Sequence, residues 1–234
     1  MQLLSNTTET LTLDSQSQTR TVTSTRKKQE KDMISIYGDY RSGNCYKVQL
    51  LLSLLDIHHR WFDIDLFAGE TRSDAFIARN PNSKIPLLEL NDGRTLAESN
   101  AILNYLGRDS EFMPQDPFEQ ARMLQWQFFE QYSHGPNIGI ACFIAKHLNR
   151  PAEREEEFQL KLEGGYKALS VMEKILAEQS FLVGEYYTLA DISLYAYTHM
   201  AQECSFEFKD FPYIQAWLTR IESHPRHIAM GTPS

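Results

Sequence analysis

The spacing of apolar and polar positions changes period along this chain. Ile34 and Ile36 alternate with Ser35 and Tyr37, the period of a strand. Tyr40, Arg41, Ser42, Gly43 and Asn44 cannot continue that run and read as a turn. Val48, Leu51, Leu52 and Leu55 then recur at i, i+3, i+4 and i+7, which predicts a helix laying an apolar face on the strand. Residues 60–66 alternate again, with Phe62, Ile64 and Leu66 set against Asp63 and Asp65, and predict a second strand. A loop and short helix fill 68–80, and Asn80-Pro81-Asn82-Ser83-Lys84 is a turn cluster. Residues 85–90 predict a strand, Asn91-Asp92-Gly93 a hairpin turn, and 94–97 the returning strand. Glu98-Ser99-Asn100 then opens a helix whose Ile102, Leu103 and Leu106 share a face.

This order, strand–helix–strand–helix–strand–strand–helix, joins a parallel βαβ pair to an antiparallel hairpin. It is the order that a thioredoxin-like domain with a mixed four-stranded sheet requires. From Phe118 the period is helical almost throughout. Ala121, Leu124, Phe128 and Tyr132 line one helix; Phe158, Leu162, Tyr166, Leu169, Met172 and Leu176 line a longer one; Ile214, Trp217, Leu218 and Ile221 line the last. The predicted fold class is α/β plus all-α. A tail over 1–32 precedes a thioredoxin-like domain over 33–109. A linker over 110–117, marked by Pro114 and Pro117, leads to a helical bundle over 118–234.

Composition changes this picture mainly at the start. Residues 1–32 are rich in Ser, Thr and Gln and hold no aromatic residue, so they cannot bury enough apolar surface to offset their ordering entropy and read as disordered. They lack the apolar core of a secretory signal. Basic and hydroxyl residues suit a transit peptide, but Glu9, Asp14, Glu30 and Asp32 do not. A net charge of −8 argues against a nucleic-acid surface. No apolar run approaches the roughly 18 residues that span a membrane. Three cysteines at wide spacings, Cys45, Cys142 and Cys204, predict neither a disulfide framework nor a metal cluster and fit a reducing, cytoplasmic location.

The candidate chemistry lies at the first turn. Ser42-Gly43-Asn44-Cys45 has the spacing of a C-x-x-C motif with serine in the first place, at a helix N-terminus whose unpaired N–H groups favour an anion. A serine there cannot be the attacking sulfur, but it can donate a hydrogen bond to the thiolate of another molecule. The plainer reading is a helix cap. Cys45 is the rival nucleophile, acidic if exposed at the helix start and inert if buried beneath it.

Three motifs then carry a family resemblance over roughly 33–228. Asn80-Pro81-Asn82-Ser83-Lys84-Ile85-Pro86, Glu98-Ser99-Asn100-Ala101-Ile102-Leu103 and Gly184-Glu185-Tyr186-Tyr187-Thr188-Leu189-Ala190-Asp191 are similar, in order and spacing, to signatures of the cytosolic glutathione transferases, here of a bacterial, serine or theta-like type. The resemblance implies a co-substrate, glutathione, and no metal. It implies a cis bond before Pro86 that turns the Ile85 backbone toward the cysteinyl part of glutathione. It places Glu98 on the γ-glutamyl ammonium, Ser99 on the γ-glutamyl carboxylate and Lys84 on the glycyl carboxylate. Arg72 stands near a histidine position of some relatives.

Ser42 and Asn44 would then serve the thiolate, with Tyr40 the second choice for Ser42. The Ser-Ser-Cys signature of maleylacetoacetate isomerases is absent. Tyr132, His134, Ile138 and Phe143 are candidates for an electrophile pocket between the domains, although a lone histidine among aromatics is more often structural. Thr188 and Asp191 predict a capping box, with Tyr187 and Ile192 as its hydrophobic staple. The reaction implied is thiolate attack on a small, hydrophobic electrophile. The alternatives are a glutathione-dependent disulfide or peroxide reductase and a non-catalytic binding module. A homodimer is implied, each subunit's first domain lying against the other's second, with no nucleic-acid or membrane partner.

Overall fold

The structure, a computed structural model, describes residues 33–233, so the expectation for residues 1–32 lies outside the described residues. Strands β1 (Ile34–Gly38), β2 (His59–Asp63), β3 (Leu87–Glu89) and β4 (Thr95–Ala97) form one sheet in the order β2-β1-β3-β4. β1 pairs with β2 in parallel, while β1–β3 and β3–β4 are antiparallel. This is the mixed four-stranded sheet of a thioredoxin-like domain.

The second strand differs from its sequence pattern. It ends at Asp63 rather than running to Leu66, and Trp61 rather than Phe62 joins the apolar clusters under the sheet. β2 is an edge strand, so Phe62 stays exposed on the other face, stacked on Tyr37. Leu66 and Phe67 fall in the loop beyond it, exposed.

Helix α1 (Gly43–Leu54) is buried on nearly every side. Val48 and Leu52 pack on Ile36, Leu88 and Ile102 beneath the sheet, whereas Tyr46, Leu50, Leu51 and Leu54 join the core of the helical layer. Lys47 and Gln49 are buried along with these apolar residues, and α1 is the element that both halves share. A short helix α2 (Asp74–Ile77) precedes β3, and α3 (Ser99–Gly107) follows β4.

The helical part begins with α4 (Pro117–Phe129). Asp116 caps it by accepting from the Phe118 and Glu119 amides, each at 3.0 Å, and Pro117 occupies the first turn, where its missing N–H costs nothing. A π-helical turn at Glu130–His134 leads into α5 (Gly135–Cys142), and a second at Phe143–His147 closes it. Pro136 explains the first: it has no N–H for the carbonyl four residues back, so the i→i−4 ladder must widen there. α6 (Glu155–Leu176), α7 (Leu189–Thr198) and α8 (Pro212–Glu222) complete the bundle.

Two sequence expectations are corrected here. The stripe Ala121–Leu124–Phe128–Tyr132 does not face the core. Met123, Trp126 and Glu130 do, leaving Phe128 at 70% and Tyr132 at 88% exposure. Spacing shows that a helix has an apolar side but not what covers it. The expectation of no disulfide also fails. Cys142, the last residue of α5, bonds Cys204 in a 3-10 turn after α7, across 62 residues of sequence and a Cα separation of 4.9 Å. Wide spacing along a chain says nothing about separation in a bundle, and the inference of a reducing compartment loses that premise.

Candidate functional site

The start of α1 builds the site. Ser42 is the N-cap, with extended backbone, and its Oγ accepts from the Cys45 amide at 3.4 Å. Cys45 is fully buried, and burial pushes its thiol up to about 12 even though the Asp39 amide reaches the sulfur at 3.5 Å. Such a thiol stays protonated at neutral pH and reaches no solvent. Tyr37 and Tyr40 are also committed elsewhere: Tyr37 donates to Glu89 at 2.9 Å, and the Tyr40 ring stacks on Trp61 at 4.7 Å.

Ser42 and Gly43 open onto a cavity of about 190 Å³ between the two halves of the fold. Leu66 and Phe67, from the loop after β2, line it, and Gly139, Cys142, Phe143, His147, Tyr197 and Met200 line it from the helical half. The Phe67 and Phe143 rings are parallel, 6.3 Å apart, and the Arg41 guanidinium lies 5.1 Å over Phe67. Arg41 also pairs with Asp39 at 2.7 Å. Burial pushes the Asp39 carboxyl up, but its bonds from Arg41 outweigh burial and hold it below the ordinary carboxylate range. Burial, and then the nearby Arg41 and Lys146, lower the His147 imidazole, so it is mainly neutral at pH 7. The cavity is therefore apolar and aromatic, with one polar edge.

Tyr197, His147, Leu66 and Phe67 were not found from the sequence. The signal for Tyr197 was two glycines. A Cβ on Gly43 would come within 2.6 Å of the Tyr197 ring, and one on Gly139 within 3.0 Å, so both must be bare for the ring to sit between α1 and α5. The Asn44 amide bonds the Tyr197 phenol oxygen, and burial raises that phenol's pKa. Nothing in a single sequence pairs glycines so far apart.

The other elements meet Ser42 from below. The Ile85–Pro86 bond is cis, both residues are buried, and Ile85 packs with Cys45. Asn80 donates to the Lys84 carbonyl at 2.7 Å and fixes the preceding turn. Glu98 has φ +70° and ψ 113°, a strained conformation for a residue with a Cβ, and its side chain is exposed. Ser99, at the start of α3, is buried. Its hydroxyl donates to Asn44 Oδ1 at 3.3 Å and lies 3.5 Å from Lys47 Nζ. Thus Ser42, Asn44, Ile85, Pro86 and Ser99 converge, whereas Lys84 and Arg72 lie on the surface, Arg72 in a single 3-10 turn.

Beneath this cluster runs a buried polar seam. Lys47 and Glu130 form an ion pair at 2.7 Å with both side chains essentially sealed from water. Glu130 also accepts from Asn100 at 3.1 Å and from Gln131 at 2.9 Å, and Ser193 donates to Asn100 at 2.6 Å. The Lys47 ammonium lies 5.6 Å from the Tyr197 ring centre. Desolvation lowers the Lys47 pKa, and Glu130 opposes that shift. A buried pair is tolerable only when its remaining hydrogen bonds are made. Here they join α1 and α3 to α4 and α7, and so fix the floor of the cavity to the helical bundle.

Of the four expected pocket residues, only Phe143 lines the cavity. Tyr132 points to solvent from the π-helical turn, and Ile138 is wholly inside the helical core. His134 is sealed: its Nε2 lies 2.8 Å from Thr198 Oγ1, which itself donates to the Leu194 carbonyl at 2.8 Å. The Thr198 proton is thus committed, so Nε2–H donates and Nδ1 is a bare, unpartnered acceptor. His134 is buried and does not line the cavity. Farther off, Thr188 and Asp191 form the capping box of α7. Asp191 accepts from the Thr188 amide at 2.8 Å and hydroxyl at 2.9 Å, and from the Leu182 amide and the Trp217 indole, each at 2.9 Å.

Among the described residues, no cluster of three or more His, Cys, Asp or Glu could hold a metal ion, and no helix is long and apolar enough to cross a membrane.

A thioredoxin-like half that presents a capped helix start and a cis-proline to a helical half defines the two-part class of thiol transferases. The family models agree: that of the glutathione S-transferase N-terminal domain matches residues 41–109, and that of the C-terminal domain matches 133–225. The chain belongs to the glutathione S-transferase family. It is similar to the crystal structure of a glutathione S-transferase from Pseudomonas fluorescens, with 53% identity and a TM-score of 0.84 over 86% of this chain and 100% of that one. It is similar also to the glutathione transferase URE2P6 from Phanerochaete chrysosporium in complex with oxidized glutathione. There the identity is 25% and the TM-score 0.76, over 83% of this chain and 93% of that one. A third relative is the disulfide-bond oxidoreductase YfcG of Escherichia coli, 28% identical over 78% of this chain and 87% of that protein.

Proposed function

We propose that this protein binds glutathione across the starts of α1, β3 and α3 and activates its thiol for attack on a small apolar electrophile in the adjoining cavity. The observation that carries this reading is Ser42. It caps α1 at the mouth of a cavity walled by Phe67 and Phe143, while the only cysteine in that turn is buried and protonated. The nucleophile must therefore come from the ligand.

In this reading the γ-glutamyl carboxylate meets the Ser99 amide at the N-terminus of α3, and Glu98 faces the ammonium. The cysteinyl backbone pairs with Ile85 beside cis-Pro86. Lys84 and Arg72 reach the glycyl end from the surface. Ser42 donates to the sulfur, Asn44 lies within the same turn, and the α1 terminus favours the anion. A free thiol has a pKa of about 8.5, and lowering it by ~2 units is worth about 2.7 kcal/mol. The catalysis is position plus electrostatics.

A second reading, glutathione-dependent disulfide reduction, is favoured by YfcG and by the relative that holds oxidized glutathione. It uses the same activated thiol and differs only in the electrophile. The buried Cys45 argues that no thiol of this turn takes part. A glutathione-using enzyme belongs where the glutathione pool is reduced, and cytoplasmic localisation is part of the proposal on that ground.

We further propose a homodimer. Phe118, Leu124, Phe128 and Tyr132 make one exposed apolar stripe along α4 and the turn after it, and Phe62 and Tyr105 are exposed on the sheet half. A contiguous apolar surface of this kind marks an interface.

The test is the ultraviolet absorbance of the thiolate in bound glutathione against pH. The native protein should depress the thiol pKa, and Ser42→Ala should return it toward the free value and lower turnover far more than affinity. A depression that survives the substitution assigns the role to Asn44 or the helix terminus. No binding at millimolar glutathione leaves only a binding module.

A further inference from the structure

The Cys142–Cys204 disulfide lies in the wall of the same cavity. Cys142 and Ser42 both line that space, Cys142 from the end of α5 and Ser42 from the start of α1. Cys204 lies behind it, fully buried, in the turn after α7. The space at Ser42 is thus lined by a residue of this chain that carries an electrophilic sulfur, Cys142, itself 2% exposed. Of the two sulfurs only that of Cys142 belongs to a residue lining the cavity, so Cys204 is the natural leaving group.

We propose that Cys142 is a site of reversible glutathionylation, through which the Cys142–Cys204 disulfide exchanges with glutathione bound at Ser42. The proposal rests on the reading of Ser42 given above. In the first step the glutathione sulfur, having lost its proton, attacks Cys142 Sγ. A glutathione–Cys142 disulfide forms, the Cys142–Cys204 bond breaks, and the Cys204 sulfur takes up the electron pair and a proton. In the second step another glutathione thiolate attacks the glutathione sulfur of that mixed disulfide, giving oxidized glutathione and the Cys142 thiol. The sum is two glutathione thiols oxidized and one protein disulfide reduced. It runs in reverse at high oxidized glutathione.

The placement has a consequence for the site. Cys142 begins the segment that carries Phe143 and His147, which line the cavity, and Cys204 lies four residues after Met200, which lines it too. The bond therefore fastens two sides of the pocket, and opening it changes the pocket that receives the second substrate. The glutathione redox ratio would thereby set which electrophiles the pocket admits.

The experiment uses the full-length protein isolated without reductant. It is incubated anaerobically with reduced glutathione or with 2-mercaptoethanol, quenched in acid, alkylated, and mapped by peptide mass spectrometry. Reduction by glutathione should saturate with concentration, pass through an adduct on Cys142, and slow by about tenfold or more in Ser42→Ala, the loss expected for a hydrogen bond to a charged group. Reduction by 2-mercaptoethanol, which lacks the γ-glutamyl and glycyl groups, should rise linearly and ignore that substitution. The proposal is overturned by equal behaviour of the two thiols once thiolate concentration is matched, by an adduct on Cys204 or Cys45, or by a disulfide that stays closed. Calorimetric binding of glutathione to the same sample separates the two claims: binding with a closed disulfide removes this proposal alone, and no binding removes both.

Discussion

At the scale of single residues, the same side-chain type takes opposite roles according to what surrounds it. His147 edges the cavity, while His134 is sealed in the bundle with one nitrogen bonded and the other bare. Burial lowers the His134 imidazole from 6.5 to about 4. The unfolded chain therefore binds a proton in that window that the folded chain refuses. Stability should fall as pH drops from 6.5 toward 4, by up to about 3 kcal/mol for this group. Urea midpoints measured across that window in the native protein and in His134→Gln should show the shallower slope in the variant. Equal slopes would mean that His134 is not the group titrating. From the sequence, Ser42 and Cys45 could be placed at the helix start, but only the fold put one on the cavity and the other beneath it. That difference is one of direction on a helix, and a three-residue spacing does not state it.

At the scale of elements, local signals were legible wherever a residue acts on its own backbone. The Thr188–Asp191 box, the turn before Pro86 and the start of α3 are all visible in the letters, whereas the Asp116 cap lies in a stretch that reads as a linker. Asp191 does more than cap: it also holds the Leu182 amide and the Trp217 indole, and so ties α7 to α8 and to the loop before it. Asp191→Ala leaves these buried donors without partners and should cost about 3 kcal/mol or more. It should lower the melting temperature before it changes the chemistry of refolded protein. A melting curve near the native one would remove the structural role. Strand ends were less legible. β2 stops at Asp63 because the chain turns away there to supply Leu66 and Phe67 to the cavity. Alternation in the sequence continues past that point regardless.

At the scale of the whole molecule, the apolar stripe on α4 is the clearest feature left exposed among the described residues. Phe128→Glu should leave the fold intact by circular dichroism while sedimentation shifts from a dimer toward the 27.1 kDa monomer. The native protein sedimenting as a monomer would sink the homodimer. The buried Lys47–Glu130 pair acts at this scale too, because it crosses from the sheet half to the helical half. No sequence spacing joins a lysine in α1 to a glutamate in the turn after α4.

What the sequence determined by itself is whatever depends on neighbours along the chain: the periods of strands and helices, the caps, the turn before Pro86, and the order of motifs that marks the family. What only the tertiary structure decided is whatever depends on distant segments meeting. Gly43 and Gly139 make room for Tyr197, Phe67 stacks on Phe143, and Cys142 reaches Cys204. The physical reason is that hydrogen-bonded local structure is fixed within a few residues, whereas close packing in a core or a cavity wall is set by shape across the whole fold.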